Sequence, residues 1–492
     1  MITLGYDIGS SSIKCAVFDC EKGKSIAHGF YPADEMKISS PRAGWAEQDP
    51  EMWWQHVVTL TKMLLKKHTI DPRQIKAIGI SYQMHGLVLV DEKHHVLRPS
   101  IIWCDSRAVE FGKSAFDALG HEYCLKHLLN SPGNFTASKL YWVKMNEPET
   151  YKKIFKAMLP GEYIAMKLTE EISTTISGLS EGIYWDFAKK SISAELLKYY
   201  GIDEAILPRV HPTFSVQGTL TKLSAEELGL QEGTPITYRA GDQPNNAFSL
   251  NVLHPGEIAA TAGTSGVVYG IIDTVRYDQK SRVNPFAHVN YSVDQPHLGV
   301  LLCINGTGIL NSWLRKNVSG GEAYDTINRR AAKIPIGSEG LIVIPFGNGA
   351  ERMLENKNVG SHFIGVDFNR HTQDHLLRAA QEGIAYSFNY GMNIMKEMGM
   401  EIQVIRAGHS NMFLSPIFRQ TLANVTGATI QLYDTDGAQG AARGAAVGAG
   451  LISVQDVFMS LTRIEEVTPS KESTDVTRYA YNSWLSQLQK WL

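Results

Sequence analysis

The chain has 492 residues, too many for one ordinary hydrophobic core, so two large domains are expected. A formal net charge of −3 with 43% hydrophobic residues gives no sign of a nucleic-acid or anionic-membrane surface and fits a soluble globular protein. Five scattered cysteines, no CxxC and no HExxH argue against a disulfide framework or a zinc site, and place the protein in the reducing cytoplasm. The N-terminus shows no secretory leader, and no apolar run reaches the roughly 18 residues of a membrane span.

The first element is in LGYDIGSSSIKCAVFDC, residues 4 to 20. Apolar residues alternate on both sides of the polar break, with Tyr6 and Ile8 before it and Ile13, Cys15 and Val17 after it. Period two on both sides predicts strand, tight turn, strand, which separates this segment from the strand–loop–helix of a GxxxxGK[ST] site. The tip carries backbone amides, the hydroxyls of Ser11 and Ser12, and Lys14. Residues 50 to 68 have helical spacing, with Asp49 as N-cap and Pro50 at the first position. IKAIGISYQ, residues 75 to 83, reads as a short buried strand that delivers Gln83, Met84 and His85 at its carboxyl end, where open α/β sheets place ligands. His85 serves either as a ligand contact or as a structural histidine. In IIWCDSR, Trp103 can stack on a sugar face, whereas Asp105 and Arg107 either bind hydroxyls or pair with each other.

SKLYWVKMNEPETYKKIFKAML reads as two helical pieces broken at Pro148. A strand is expected near Thr234 to Ala240, followed by the turn residues GDQPNN, which carry Asp242. That aspartate can orient and deprotonate a hydroxyl, or it can be a helix N-cap or turn residue. From about residue 255 the pattern restarts. GEIAATAGTSGVVYGII, residues 256 to 272, repeats the strand–turn–strand design, with Gly263, Thr264 and Ser265 at its tip. Two copies half a chain apart suggest a duplicated α/β domain with a cleft between the copies and a boundary near residues 250 to 256. DGAQGAARGAAVGAGLI, residues 436 to 452, reads as a helix whose small residues admit a close neighbour, either a backbone or a flat ligand. The last readable feature is a Trp-containing helix, YNSWLSQLQKWL.

Turns rich in Gly, Ser and Thr converge several N–H groups on one point, and such nests hold phosphate. Two of them can clamp the β- and γ-phosphates of ATP. Asp7, at the end of a buried strand, is either a turn-stabilising residue or a carboxylate beside that anion, and the second role calls for Mg²⁺ between them.

The ordered series of motifs resembles the FGGY family of carbohydrate kinases, in the superfamily of hexokinase, Hsp70 and actin. DIGSSSIK resembles its first phosphate motif, TAGTSG its second, and AGDQPNN the segment with its catalytic Asp. TASKLYWVKMNEPE, IPFGNGAER, RAGHSNMFLSPIFRQTLANVTGATI and GAARGAAVGAG extend the match from residue 2 to about residue 450. The resemblance implies two duplicated ribonuclease H-like, actin/hexokinase-type α/β domains with a central cleft. A sugar-binding domain would span residues 1 to 252 and a nucleotide-binding domain residues 253 to 492. It implies Asp242 as base, Mg²⁺ near Asp7, and Ser11, Ser12, Lys14, Gly263, Thr264, Ser265 and Gly408 as ATP contacts. Family members often form dimers, so a homodimer is the implied assembly. Within the family, QMHG and W-x-D-x-R resemble the D-xylulose kinases, which makes Met84, His85, Trp103, Asp105 and Asp242 the implied sugar contacts. The implied reaction converts D-xylulose to D-xylulose 5-phosphate. Sedoheptulose, ribulose, gluconate or glycerol are the alternative acceptors, because Cys104 stands where those kinases usually have Asn and QMHG also occurs in related kinases.

Overall fold

The computed structural model describes residues 1–492, which divide into two compact units. The first comprises Met1–Asn251, Phe286–Leu298 and Thr435–Leu461; the second comprises Val252–Pro285, Gly299–Asp434 and Thr462–Leu492. No helix is long and apolar enough to cross a membrane.

The first unit is built on a five-stranded sheet: β1 (Ile2–Ile8), β2 (Ile13–Asp19), β3 (Lys24–Tyr31), β4 (Ile75–Tyr82) and β5 (Ile236–Gly241), in the spatial order β5-β4-β1-β2-β3. β1 and β2 form the expected antiparallel hairpin, with Ile8 opposite Ile13 next to its turn. β4 lies parallel to β1, and β5 parallel to β4. One face of this sheet is covered by the helix Pro50–His68, which starts as its sequence predicts: the Asp49 side chain accepts from Glu51 N, and Pro50 fills the first turn. That helix buries Trp53, Val57, Leu60 and Leu64, each contributing about 1.5–3 kcal/mol of hydrophobic stabilisation.

The small-residue segment forms the helix Gly437–Gly448, and a neighbouring backbone, not a flat ligand, is what comes close to it. It packs on β1, β4 and β5. A Cβ at Gly5 would lie 2.2 Å from Ala438 O, and one at Gly79 would lie 2.1 Å from Ala441 O. Backbone meets backbone here, so glycine is required at both strand positions. This helix comes from the C-terminal half of the sequence yet belongs to the first unit, so one cut near residue 252 does not partition the chain.

Two local expectations differ from the structure. After Pro148 the helix lasts only to Tyr151, and Lys156–Met158 is a strand paired with Val88–Val90. The residues after β5 are not an open turn: they begin the helix Asp242–Ser249, whose first turn accommodates Pro244 because a proline there forfeits no intrahelical bond.

The second unit has its own sheet: β6 (Glu257–Ala262), β7 (Gly266–Ile272), β8 (Leu298–Ile304), β9 (Val404–Gly408), β10 (Thr429–Tyr433) and β11 (Arg463–Val467), in the order β8-β7-β6-β9-β10-β11, with an edge strand at Asn284–Ala287. β6 and β7 form the second hairpin, and β9 and β10 follow in parallel. The long helix Gln373–Glu397 is its main support, with Ala380, Ile384, Phe388 and Met392 fully buried.

Candidate functional site

In the first unit, β1, β4 and β5 are neighbours and parallel, so their carboxyl ends share one edge. Register pairs Asp7 with Ser81, and Ser81 with Ala240 two residues before Asp242. Asp7 lies across the hairpin from Lys14, whose Nζ is 3.7 Å from Oδ2, and Ser81 Oγ donates to Asp7 Oδ1 at 2.9 Å. Burial raises the Asp7 carboxyl; Lys14 and Ser81 oppose the shift, and the Asp436 charge adds to it. Asp242 is pushed up to about 7, first by burial and then by the Asp7 charge, against the Gln243 N–H and Lys14. A carboxyl raised by burial and by a neighbouring carboxylate is the arrangement expected where a proton is to be moved. A Cβ at Gly437 would meet Asp7 Oδ2 at 2.6 Å, so the glycine keeps that side of the carboxylate open.

The donor set suits Mg²⁺. No three metal-ligating His, Cys, Asp or Glu side chains converge, and Mg²⁺ takes one or two carboxylates with phosphates and water. Asp7 would hold it.

The end of β4 supplies the second wall. His85 has φ 61°, a left-handed conformation costing roughly 1–3 kcal/mol for a residue with a side chain. It is held from several sides. Its N–H donates to Glu181 Oε2 at 3.3 Å, and its Nδ1 lies 2.9 Å from Glu181 O. Its carbonyl accepts from Lys139 Nζ at 2.8 Å, and the Phe135 and Phe286 rings pack against it at 4.7 and 5.3 Å. Met84 is buried, and a Cβ at Gly241 would lie 2.6 Å from its Cγ and 3.2 Å from Glu181 Oε2. Met84, His85, Glu181 and the residue before Asp242 therefore meet at one place.

Lys139 is wholly buried and also donates to Ile102 O at 3.0 Å, tying the 84–86 turn to the 102–105 turn. Burial lowers its ammonium to about 7. Trp103 is 55% exposed, and its Nε1–H donates to Ser10 Oγ at 3.3 Å beside the first hairpin tip. Asp105 takes the second of its two sequence alternatives. Its side chain is buried and accepts from Arg107 N, Nε and Nη2 and from Ala46 N, so a sugar hydroxyl would have to displace one of these donors. The pair shapes the turn that carries Trp103. Ser11 is exposed and its carbonyl accepts from Met36 N at 2.8 Å; Ser12 is half-buried.

The second unit holds the second turn. The carbonyls of Gly263 and Thr264 accept from Gly308 N and Ile309 N at 3.0 and 3.1 Å, the start of the helix Gly308–Asn317. With the carbonyls committed there, the planar peptide directs the N–H groups of Thr264 and Ser265 away from that helix. Gly263 and Thr264 border a cavity of about 450 Å³ with Asn311, Ser312, Tyr324, Asn328 and Asn411 on its walls. Gly408 ends β9 and is not on that wall, although Asn411, three residues on, is; a Cβ at Gly263 would stand 3.6 Å from Asn411 Nδ2.

Asp7, Lys14, Met84, His85 and Asp242 are thus gathered in the first unit, and Gly263 and Thr264 at a cavity in the second. Glu181, Lys139 and the asparagines of the cavity escaped sequence reasoning. Lys139 sits in the quoted KLYW motif, which was a usable signal; Glu181 is a lone acid in ISGLSEGIYW and carried none.

The chain matches the FGGY family of carbohydrate kinases, N-terminal domain, over residues 2–249, and the C-terminal domain of the same family over residues 258–452. It is 30% identical over 404 residues to the xylulose kinase of Staphylococcus xylosus, covering 82% of this chain and 81% of that protein. It is 27% identical over 484 residues to the xylulose kinase of Escherichia coli K12, covering 97% and 95%. The crystal structure of xylulose kinase from Rhodospirillum rubrum is similar with a TM-score of 0.90 at 25% identity, over 100% of this chain and 99% of that one.

Proposed function

The chain belongs to the FGGY family of carbohydrate kinases, and from that premise we propose that it phosphorylates D-xylulose at its terminal C5 hydroxyl, with Asp242 as the base. ATP-dependent transfer to a sugar or polyol is the activity of the family. The finer reading rests above all on one observation: Asp242, held near 7 beside Asp7, shares its corner with Met84 and His85. The shared order of strands in the two sheets supports a reading as two ribonuclease H-like domains, with sugar chemistry in the first and nucleotide binding in the second.

In this reading the C5 hydroxyl donates its proton to Asp242 while its oxygen attacks the γ-phosphorus, and the bond from that phosphorus to the ADP oxygen breaks. Little covalent work falls to the protein; it positions the acceptor and spreads charge. Mg²⁺ held by Asp7 would neutralise phosphate charge. The amides of the 263–265 turn and the hydroxyls of Ser11 and Ser12, with Lys14, bind phosphate oxygens. The 450 Å³ cavity takes the nucleoside, where asparagine side chains can both donate to and accept from a base. Met84 and His85 contact the ketose, and Trp103 offers its exposed ring.

One observation favours a second reading. Cys104, next to Trp103, is exposed and presents a thiol where the D-xylulose kinases usually carry Asn. A thiol cannot supply the amide's hydrogen bonds, so another ketose or polyol is the alternative acceptor. A coupled ADP-release screen over D-xylulose, D-ribulose, sedoheptulose, gluconate and glycerol decides. The highest kcat/KM on D-xylulose is expected, and a higher value on any other acceptor replaces the assignment.

A further inference from the structure

Glu181 is the one acidic residue of the short helix Ile176–Glu181, and it is almost completely buried. The phosphoryl transfer described above has no use for it. Burying a carboxyl without a cationic partner is costly, so its contacts should show what it is for. Oε1 accepts from the Tyr82 hydroxyl at 2.6 Å. The remaining contacts converge on one residue. Oε2 accepts from His85 N and lies 3.8 Å from His85 Nδ1, and the Glu181 carbonyl lies 2.9 Å from the same Nδ1. A carbonyl can only accept, so Nδ1 carries a proton and donates it to the Glu181 carbonyl. The same helix also fixes a ring that packs on His85: Ser177 Oγ donates to Ala287 O and Ser180 Oγ accepts from Ala287 N, both at 2.9 Å, next to Phe286.

We propose that Glu181 is a positioning residue for the acceptor sugar, acting through His85: it holds the left-handed backbone of His85, fixes its tautomer and sets its ring against the corner of Met84 and Asp242. This inference rests on the reading of His85 as a sugar contact. Left-handed backbone at a residue with a side chain persists only where the surroundings enforce it. Glu181 does so at the amide and the ring, and Lys139 at the carbonyl. A histidine released from that grip relaxes toward ordinary backbone angles and withdraws its ring from the sugar.

The test is a double-mutant cycle on the full-length enzyme, reading KM for D-xylulose, KM for ATP and melting temperature in H85A, E181M and H85A/E181M. E181M is expected to raise the sugar KM by about 10-fold or more while the ATP KM stays within about twofold, a split that general loosening of the fold does not produce. On the H85A background E181M should add little, because the residue through which it acts is gone. If E181M leaves the sugar KM unchanged, or multiplies it equally with and without His85, the proposal is overturned while the sugar-contact reading of His85 stands. If H85A itself leaves the sugar KM unchanged, that reading falls and takes this inference with it. Should E181M fail to fold, E181Q carries the test. It keeps the side-chain volume and one acceptor oxygen but loses the second, so a smaller rise, again coupled to His85, is expected, and no rise overturns the proposal.

Discussion

The two hairpins are the same backbone device with different chemistry. In each, the first strand pairs antiparallel with the second and parallel with a strand from much later in the chain: β1 with β2 and β4, β6 with β7 and β9. The first closes at Ile8 opposite Ile13 and the second at Ala262 opposite Gly266, so the second turn is one residue tighter. The first places Asp7 and Lys14 opposite each other near its tip; the second has Thr261 opposite Val267 and no charge near its turn. A repeated fold therefore supplied two bends of one backbone design, to which the proposed function gives different tasks. The charged hairpin stands beside Asp242, the proposed base, and the neutral one borders the asparagine-lined cavity proposed for the nucleoside. If that division is right, lesions in the first should strike turnover and lesions in the second should strike ATP affinity.

The sharpest break in this comparison is D242A. Loss of a general base costs about 10²–10⁴-fold in rate, so kcat should fall by that factor while ATP affinity, read by calorimetry, holds within about twofold. Near-normal turnover would remove Asp242 from its role. D7N should lower kcat by roughly 10²-fold and move the acid limb of the pH profile downward, because the Asp7 charge is one cause of the raised Asp242 carboxyl. In the unmodified enzyme kcat/KM should climb through an apparent pKa near 7, since only ionised Asp242 accepts a proton. An unmoved limb in D7N would uncouple the two carboxyls.

In the second hairpin, G308A puts a Cβ 2.3 Å from Gly263 O and should raise the ATP KM by about 10-fold with the sugar KM unchanged, a split that kinetics on both substrates checks. The smallest effect concerns stability. Asp242 titrates higher in the folded chain, near 7, than the roughly 3.9 of an unfolded aspartate. The contribution of its carboxyl is full below about pH 4 and is lost as pH rises through about 7. D242N escapes that loss. It should melt higher than the parent at pH 8, by an amount corresponding to about 1–3 kcal/mol, and the gap should close toward pH 4.

Both hairpins were legible because period-two alternation and a Gly-Ser-Thr break leave few other structures open. The helix Pro50–His68 was legible from its apolar spacing, with Asp49 and Pro50 marking its start. The helix after β5 was not, since Gly-Asp-Gln-Pro-Asn-Asn has the composition of a turn and only packing decides whether a first helical turn follows. Lys156–Met158 has helical spacing in sequence, and pairing with Val88–Val90 overrode it. Asp105 and Arg107 were an open choice between binding hydroxyls and each other; in the structure they pair, because four donors from Arg107 and Ala46 converge on the Asp105 carboxylate. Glu181 was illegible for a deeper reason. Its partners, Tyr82 and His85, lie almost a hundred positions upstream (99 and 96), and no local pattern marks an acid that the fold will bury.

The lid of small residues over β1, β4 and β5 has a consequence for biosynthesis. These three strands are translated by residue 241, but the helix that shields them, Gly437–Gly448, is translated nearly two hundred codons later. At roughly 5–20 residues per second, the greasy underside of the nascent sheet waits about 10–40 s for its cover. During that interval the sheet's apolar face is open to aggregation, and a chain that ended before residue 437 would lack its cover altogether.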